Sequence, residues 1–206
     1  MRTELGISGL LLLYVGNLEA YQGIDLLLQS FALVLKKDRR GDLVIIGGDS
    51  REIIRYRMKA RHLGIDRKVH FLGAKPVELL SSFLAEADIL VSARIRGNNT
   101  PMKIYPYLLS GKPVLATNLP THTQILDSKV AMLAEPSPQR FSEAILRLMQ
   151  EEDTRKLLGI AGKRLAEEKF SYTTFRAKLN AFLDSLEVEI LRQPAHNGVS
   201  RRQPRA

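Results

Sequence analysis

The stretch Ser92-Ala93-Arg94-Ile95-Arg96-Gly97-Asn98-Asn99-Thr100-Pro101-Met102-Lys103-Ile104-Tyr105-Pro106-Tyr107-Leu108-Leu109-Ser110-Gly111-Lys112-Pro113-Val114-Leu115-Ala116-Thr117-Asn118 decides how the rest of the chain is read. It opens on a flexible basic loop, Arg94 to Asn99, which delivers Thr100 as an N-cap and Pro101 at the first helical position, so a helix is predicted over Thr100–Ser110. The unpaired amides of such a start point outward with the positive end of the helix dipole, and Lys103 lies one turn in, an arrangement that suits an anion and above all a phosphate. Gly111 closes the helix, and Pro113–Ala116 reads as a short buried strand that turns at Thr117-Asn118. By itself this pattern also serves as a plain loop, capped helix and strand in any doubly wound protein.

Outward from that stretch, short apolar runs alternate with helical periodicity along the chain. The expected strands are Leu11–Val15, Asp42–Ile46, Lys68–Phe71, Asp88–Val91, Pro113–Ala116 and Val130–Leu133. Between them the helices Ile24–Lys36, Ser50–Leu63, Pro76–Ala85, Thr100–Ser110 and Thr121–Asp127 are expected, and Pro138–Gln150, Asp153–Glu168 and Tyr172–Leu191 follow the last strand. Strand and helix in alternation define an α/β fold with a doubly wound, parallel, six-stranded sheet. Residues 1–191 are read as one domain, and residues 192–206, with two prolines, a glycine and no acid, as a disordered basic tail. The last helix carries Phe175, Leu179, Phe182, Leu183, Leu186, Val188 and Ile190, more apolar surface than one narrow stripe, which predicts self-association or a waiting partner.

A chain of 206 residues with 45% apolar content builds one generous core. It has no cysteine, so disulfides and thiol nucleophiles are excluded, and a zinc site would have to draw on four scattered histidines. The formal charge is +9, but residues 192–206 hold four arginines, which leaves +5 over residues 1–191. No interleaved aromatic pattern accompanies the basic tail, so a solvated tail is preferred to a nucleic-acid site. Gly9–Val15 is apolar but far shorter than the roughly twenty residues of a membrane span, and Glu4 and the Gly16-Asn17-Leu18-Glu19 run do not suit a signal peptide, so this is a buried strand.

Ligands of doubly wound sheets bind beyond the carboxyl ends of the strands. After the first strand comes Gly16-Asn17-Leu18-Glu19-Ala20-Tyr21-Gln22-Gly23, after the second Gly47-Gly48-Asp49-Ser50 with a glycine turn and an N-cap, and after the third Phe71-Leu72-Gly73. His70 is read as structural. After the fifth, Thr117 to Gln124 opens a short helix in which His122 either faces the cleft beyond the strands or caps the helix at the surface. No serine–histidine–aspartate set, P-loop or metal cluster competes with these loops.

The run Pro101-x-Lys103-Ile104-Tyr105-x-Tyr107-Leu108-x-Ser110-Gly111-Lys112-Pro113-Val114-x-Ala116-Thr117 resembles the donor-site signature of family-4 glycosyltransferases, which have the two-domain GT-B fold. Met1 to Ile7 resembles the family's interdomain segment, so the resemblance covers the carboxyl-terminal, donor-binding domain only, a Rossmann-like half of a GT-B glycosyltransferase that looks truncated. It implies a hexosyltransferase-like activity, retaining transfer from a nucleotide-diphosphate sugar, with no metal and no cofactor. The catalytic residue it implies is Lys103, and the donor or phosphate ligands are Gly16, Asn17, Gln22, Gly23, Gly48, Arg94, Asn98, Asn99, Thr100, Pro101, Met102 and Tyr105. Phe71 and Gly73 would lie by the base and His122 on the acceptor side.

Three departures stand out. The family's phosphate-binding arginine and lysine are replaced by Asn17 and Gln22, whose uncharged hydrogen bonds to a phosphate are roughly half as strong. Its two glutamates, eight positions apart, correspond to Asn98 and Pro106. Pro106 is also expected to detach the first helical turn and push Tyr105 toward extended geometry. The resemblance thus implies a nucleotide-sugar partner, an acceptor half supplied by a separate amino-terminal domain or a homo-oligomer, no turnover by the isolated chain, and a cytoplasmic place with at most peripheral membrane contact. The alternative is a non-catalytic, degenerate nucleotide-sugar binding module.

Overall fold

The computed structural model describes residues 1–192. From residue 193 on, the predicted basic tail lies outside the described residues. The elements run α1 (Arg2–Leu5), β1 (Leu10–Val15), α2 (Ile24–Lys37), β2 (Gly41–Ile46), α3 (Ser50–His62), β3 (Val69–Gly73), α4 (Leu80–Glu86), β4 (Ile89–Ser92), α5 (Ile104–Leu109), β5 (Val114–Thr117), α6 (Pro120–Thr123), β6 (Met132–Ala134), α7 (Pro138–Gln150), α8 (Glu152–Phe170) and α9 (Tyr172–Arg192). Short 3-10 turns at Ala20–Gln22, Asp66–Lys68 and Val77–Leu79 join some of them.

All five strand pairings are parallel, and the six strands lie in the order β3-β2-β1-β4-β5-β6. This is the doubly wound Rossmann-like sheet that the alternation predicts. Leu12 of β1 sits beside both Leu43 of β2 and Ile89 of β4, so β1 lies in the middle of the sheet. A middle parallel strand is covered on both faces, which is why β1 reads as an unbroken apolar run rather than an alternating one. Leu12 and Tyr14 point into the layer packed by α2, α3 and α7, whereas Leu11 and Leu13 point into that of α4, α5 and α8. Each such leucine, fully buried, contributes about 1.5–3 kcal/mol.

Helix ends follow local chemistry. Asp49 caps α3 in a reciprocal capping box with Glu52, at 2.8 Å and 3.0 Å. Ser137 caps α7, with Pro138 in its first turn. Gly159 of α8 is a close-approach glycine: a Cβ there would lie 2.1 Å from Gly111 O, so α8 rests directly on the turn between α5 and β5.

Several boundaries differ from the sequence expectation. The helix predicted from Thr100 begins only at Ile104, and Thr100 makes no N-cap. The cause is Pro106: without an amide it cannot bond to Met102 O, so the helix can start no earlier than a register that places Pro106 in its first turn, where no amide is needed. Tyr105 is accordingly helical, not extended, with its amide 3.4 Å from Met102 O. The helix expected over Thr121–Asp127 is the single turn of α6, and the one expected from Pro76 is split into a 3-10 turn and α4.

Met1–Glu167 forms one compact unit, and Glu168 opens a second, whose described part is essentially α9. On α9 Phe175, Leu179, Phe182, Leu183 and Val188 are exposed. Among the described residues no helix is long and apolar enough to cross a membrane.

Candidate functional site

In this strand order the chain reverses its winding direction between β1 and β4, and the crevice of such a sheet opens beyond the carboxyl ends of those two strands. Beyond β1 the chain makes the 3-10 turn Ala20–Gln22 and enters α2 at Gly23, which has φ 72°. A side chain at Gly23 would strike Ala93 O, since its Cβ would lie 1.9 Å away, so only glycine lets this turn pack on the exit of β4. Ile95 N donates to Tyr21 O at 2.9 Å, which fastens the two loops together.

Lys103, the residue before α5, reaches into this crevice. Its Nζ lies 3.9 Å from the Tyr14 ring centroid and donates to Gln22 Oε1 at 3.3 Å. Gly16 makes room for it, because a Cβ there would be 2.7 Å from the same Nζ. No carboxylate among the described residues forms an ion pair with Lys103. Burial, with a smaller push from the Arg94 guanidinium, lowers its pKa to about 7. A partly buried lysine amine with no carboxylate beside it among the described residues is a group whose charged form an anion would stabilise.

Arg94 is spent differently. Its guanidinium donates to Arg96 O at 2.8 Å, Asn99 O at 3.3 Å and Asn99 Oδ1 at 3.1 Å, and lies over the Tyr21 ring at 5.0 Å. It therefore shapes its own loop and reaches the crevice mainly as a nearby charge. Behind the site the hydroxyl of buried Tyr107 accepts from Val15 N at 2.8 Å, and Tyr14 donates to Asn17 O at 2.7 Å. Burial pushes both phenols well above their usual range, so they remain neutral.

The structure brings Gly16, Gln22, Gly23, Arg94 and Lys103 together. Asn17 is exposed beside Tyr21, Gly48 has φ 79° at the α3 start, and Pro101 is buried while Asn98, Asn99 and Met102 are exposed and Thr100 and Tyr105 partly so. Phe71 packs into the core yet still borders, with Leu72, Gly73, Ser50 and Ile53, a shallow recess, and its carbonyl accepts from Arg57 Nη2 at 3.2 Å. His122 corrects both sequence readings: it is fully buried, facing neither an acceptor cleft nor solvent, because Ser92 and Thr117 satisfy both its nitrogens. Tyr14, Ser92, Thr117 and Gln124 were not singled out from the sequence. The buried strands carry no periodic signal to distinguish them, and only the tertiary structure assembles their hydroxyl and amide contacts.

The sheet and its switch point define the class, a doubly wound α/β domain. The sequence pattern of the group named glycosyl transferases group 1 matches residues 5–165, and the chain belongs to that family. It is 29% identical over 201 residues to D-inositol 3-phosphate glycosyltransferase of Corynebacterium aurimucosum, covering 92% of this chain and 47% of that protein. Over 77 residues it is 35% identical to human alpha-1,3/1,6-mannosyltransferase ALG2, covering 37% of this chain and 18% of that one. The chain thus spans about half or less of the curated relatives it matches. Among solved structures, Anabaena HepE in complex with UDP superposes with a TM-score of 0.80 at 18% identity, covering 89% of this chain and 51% of that one. The carboxyl-terminal domain of the group 1 glycosyl transferase LpcC of Francisella tularensis superposes with a TM-score of 0.72 at 21% identity, covering 82% of this chain and 91% of that domain.

Proposed function

We propose that residues 1–191 are the donor-binding, carboxyl-terminal half of a family-4, GT-B glycosyltransferase that takes its sugar from a nucleoside diphosphate. The observation that carries this reading is the Lys103 ammonium, unpaired by any carboxylate among the described residues and set in the crevice beyond β1 and β4. In glycosyl transfer from such a donor the bond between the anomeric carbon and the diphosphate oxygen breaks, and negative charge collects on the departing phosphate. A fixed cation aimed at that oxygen lowers the barrier, because it gains more from the developed charge than from the ground state. Lys103 fills this role here, with Gly16 keeping the backbone close and Arg94 adding its field. Uridine diphosphate is the first nucleotide to try, since HepE carries UDP and UDP-glucose.

Retaining transfer would be completed by an acceptor-binding domain outside these residues, or by a second copy of the chain, in a cytoplasmic setting with at most peripheral membrane contact. No metal or cofactor is required by this reading. A second reading, a nucleotide-sugar binding module without turnover, is favoured by the amide of Gln22 and the ring of Pro106, which stand where the family's phosphate and ribose ligands are expected. Calorimetry with UDP on the chain and on Lys103→Ala tests the site. Loss of a charge-assisted bond should weaken binding roughly ten- to a hundredfold. Equal affinities at equal salt would move the nucleotide away from this crevice.

A further inference from the structure

The turn α6 grips the loop that leads to Lys103. Thr121 Oγ1 donates to Asn99 O at 2.8 Å and Gln124 Nε2 to Asn98 O at 2.6 Å, while Thr100 Oγ1 donates to Gln124 Oε1 at 3.5 Å. Beneath them the proton directions can be worked out. Thr117 Oγ1 gives its proton to Arg94 O at 2.5 Å, so towards His122 Nδ1, at 2.9 Å, it can only accept. Nδ1 therefore carries the imidazole proton, shared with Thr117 O at 3.1 Å, and Nε2 accepts from Ser92 Oγ at 2.8 Å. The result is a directed chain, Ser92 to His122 to Thr117 to the main chain at Arg94. It joins the ends of β4 and β5 to the loop.

The loop needs such support. It contains Gly97, its residues 96–99 are exposed, and on its other side it is fastened at its start, by Ile95 N on Tyr21 O, by the Ile95 side chain on the core and by Arg94 over the Tyr21 ring. We propose that Ser92, His122, Thr117, Thr121 and Gln124 are positioning residues that hold the Arg94–Thr100 loop in place for the anion at Lys103. This inference rests on the donor-site reading above. A loop ordered before the ligand arrives spares the free energy of ordering it on binding, so the strut is expressed as affinity for the anion and not only as stability of the fold.

The test compares UDP affinity, by calorimetry on folded protein, in the parent chain, Thr117→Val, Thr117→Ser, Thr121→Val and Gln124→Ala, with thermal unfolding measured alongside. Thr117→Val keeps the shape but removes the hydroxyl that donates to Arg94 O and leaves His122 Nδ1 with the main-chain Thr117 O alone, and should weaken UDP binding about tenfold, while Thr117→Ser, which keeps the hydroxyl, should stay within about twofold. Gln124→Ala touches the loop from an exposed position and Thr121→Val removes one hydroxyl at the loop's edge, so they serve if Thr117→Val does not fold, and each should weaken binding several-fold. Parent-like UDP affinity in the folded valine and alanine variants, with only the unfolding temperature lowered, would overturn the positioning role and leave the donor site standing. No UDP binding by the parent chain would remove the donor site, and this inference with it.

Discussion

Lys103 joins burial to chemistry most directly. Because burial lowers its pKa to about 7, from 10.5 for a free lysine, a large share of the empty sites hold a neutral amine at pH 8. A bound diphosphate favours the ammonium and raises that pKa again, so UDP binding at pH 8 should take up a fraction of a proton approaching one. Below about pH 6 the amine is already charged and this uptake disappears. Calorimetry in buffers of different ionisation enthalpy reads the uptake, which should vanish in Lys103→Gln; an unchanged value would place the proton elsewhere. His122 shows the same physics without a ligand. Burial lowers its pKa from 6.5 to about 4, so between those values the unfolded chain binds more protons than the folded one. Stability should therefore be full above pH 6.5 and decline as the pH falls towards 4, and the decline should flatten in His122→Asn. Unfolding temperatures across that range check it.

At the scale of the element, α5 and α8 show what the sequence reveals and what it hides. The Gly111-Lys112-Pro113 turn and the apolar β5 were legible, because glycine, proline and a buried run carry their meaning locally. The start of α5 was not, since two local rules compete there: Thr100-Pro101 signals a helix start and Pro106 forbids one so early. Pro106 is disruptive by its local chemistry, but the register in which it becomes harmless is set by the folded chain. The crevice beyond β1 and β4 was legible as loops after strands, whereas the burial of His122 was hidden, because nothing in Thr121-His122-Thr123 announces that Ser92, far away in sequence, will meet it. Gly159 was equally silent. With its Cβ position 2.1 Å from Gly111 O, Gly159→Ala should destabilise the fold by at least about 1 kcal/mol despite alanine's better helix propensity. Urea unfolding would show it as a lower midpoint at constant slope.

For the molecule as a whole, the site draws on the ends of β1 and β4 and on the segments after them, with β5 and α6 behind. None of these makes a site alone. The exposed apolar side chains of α9 belong to the second unit, and a concentration-dependent mass in light scattering, absent from a chain ending at residue 167, would assign self-association to them.

The position of β1 also has a consequence in time. One of its neighbours, β2, follows after a single helix, but the other, β4, is made only after β2, α3, β3 and α4, so the crevice between β1 and β4 depends on the slowest kind of contact, a parallel pairing between distant segments. During refolding from urea the far-ultraviolet helix signal should return before the capacity to quench or capture a labelled nucleotide. A folding intermediate with helices in place and no nucleotide affinity is the expected species, and simultaneous recovery of both signals would mean that β4 docks early.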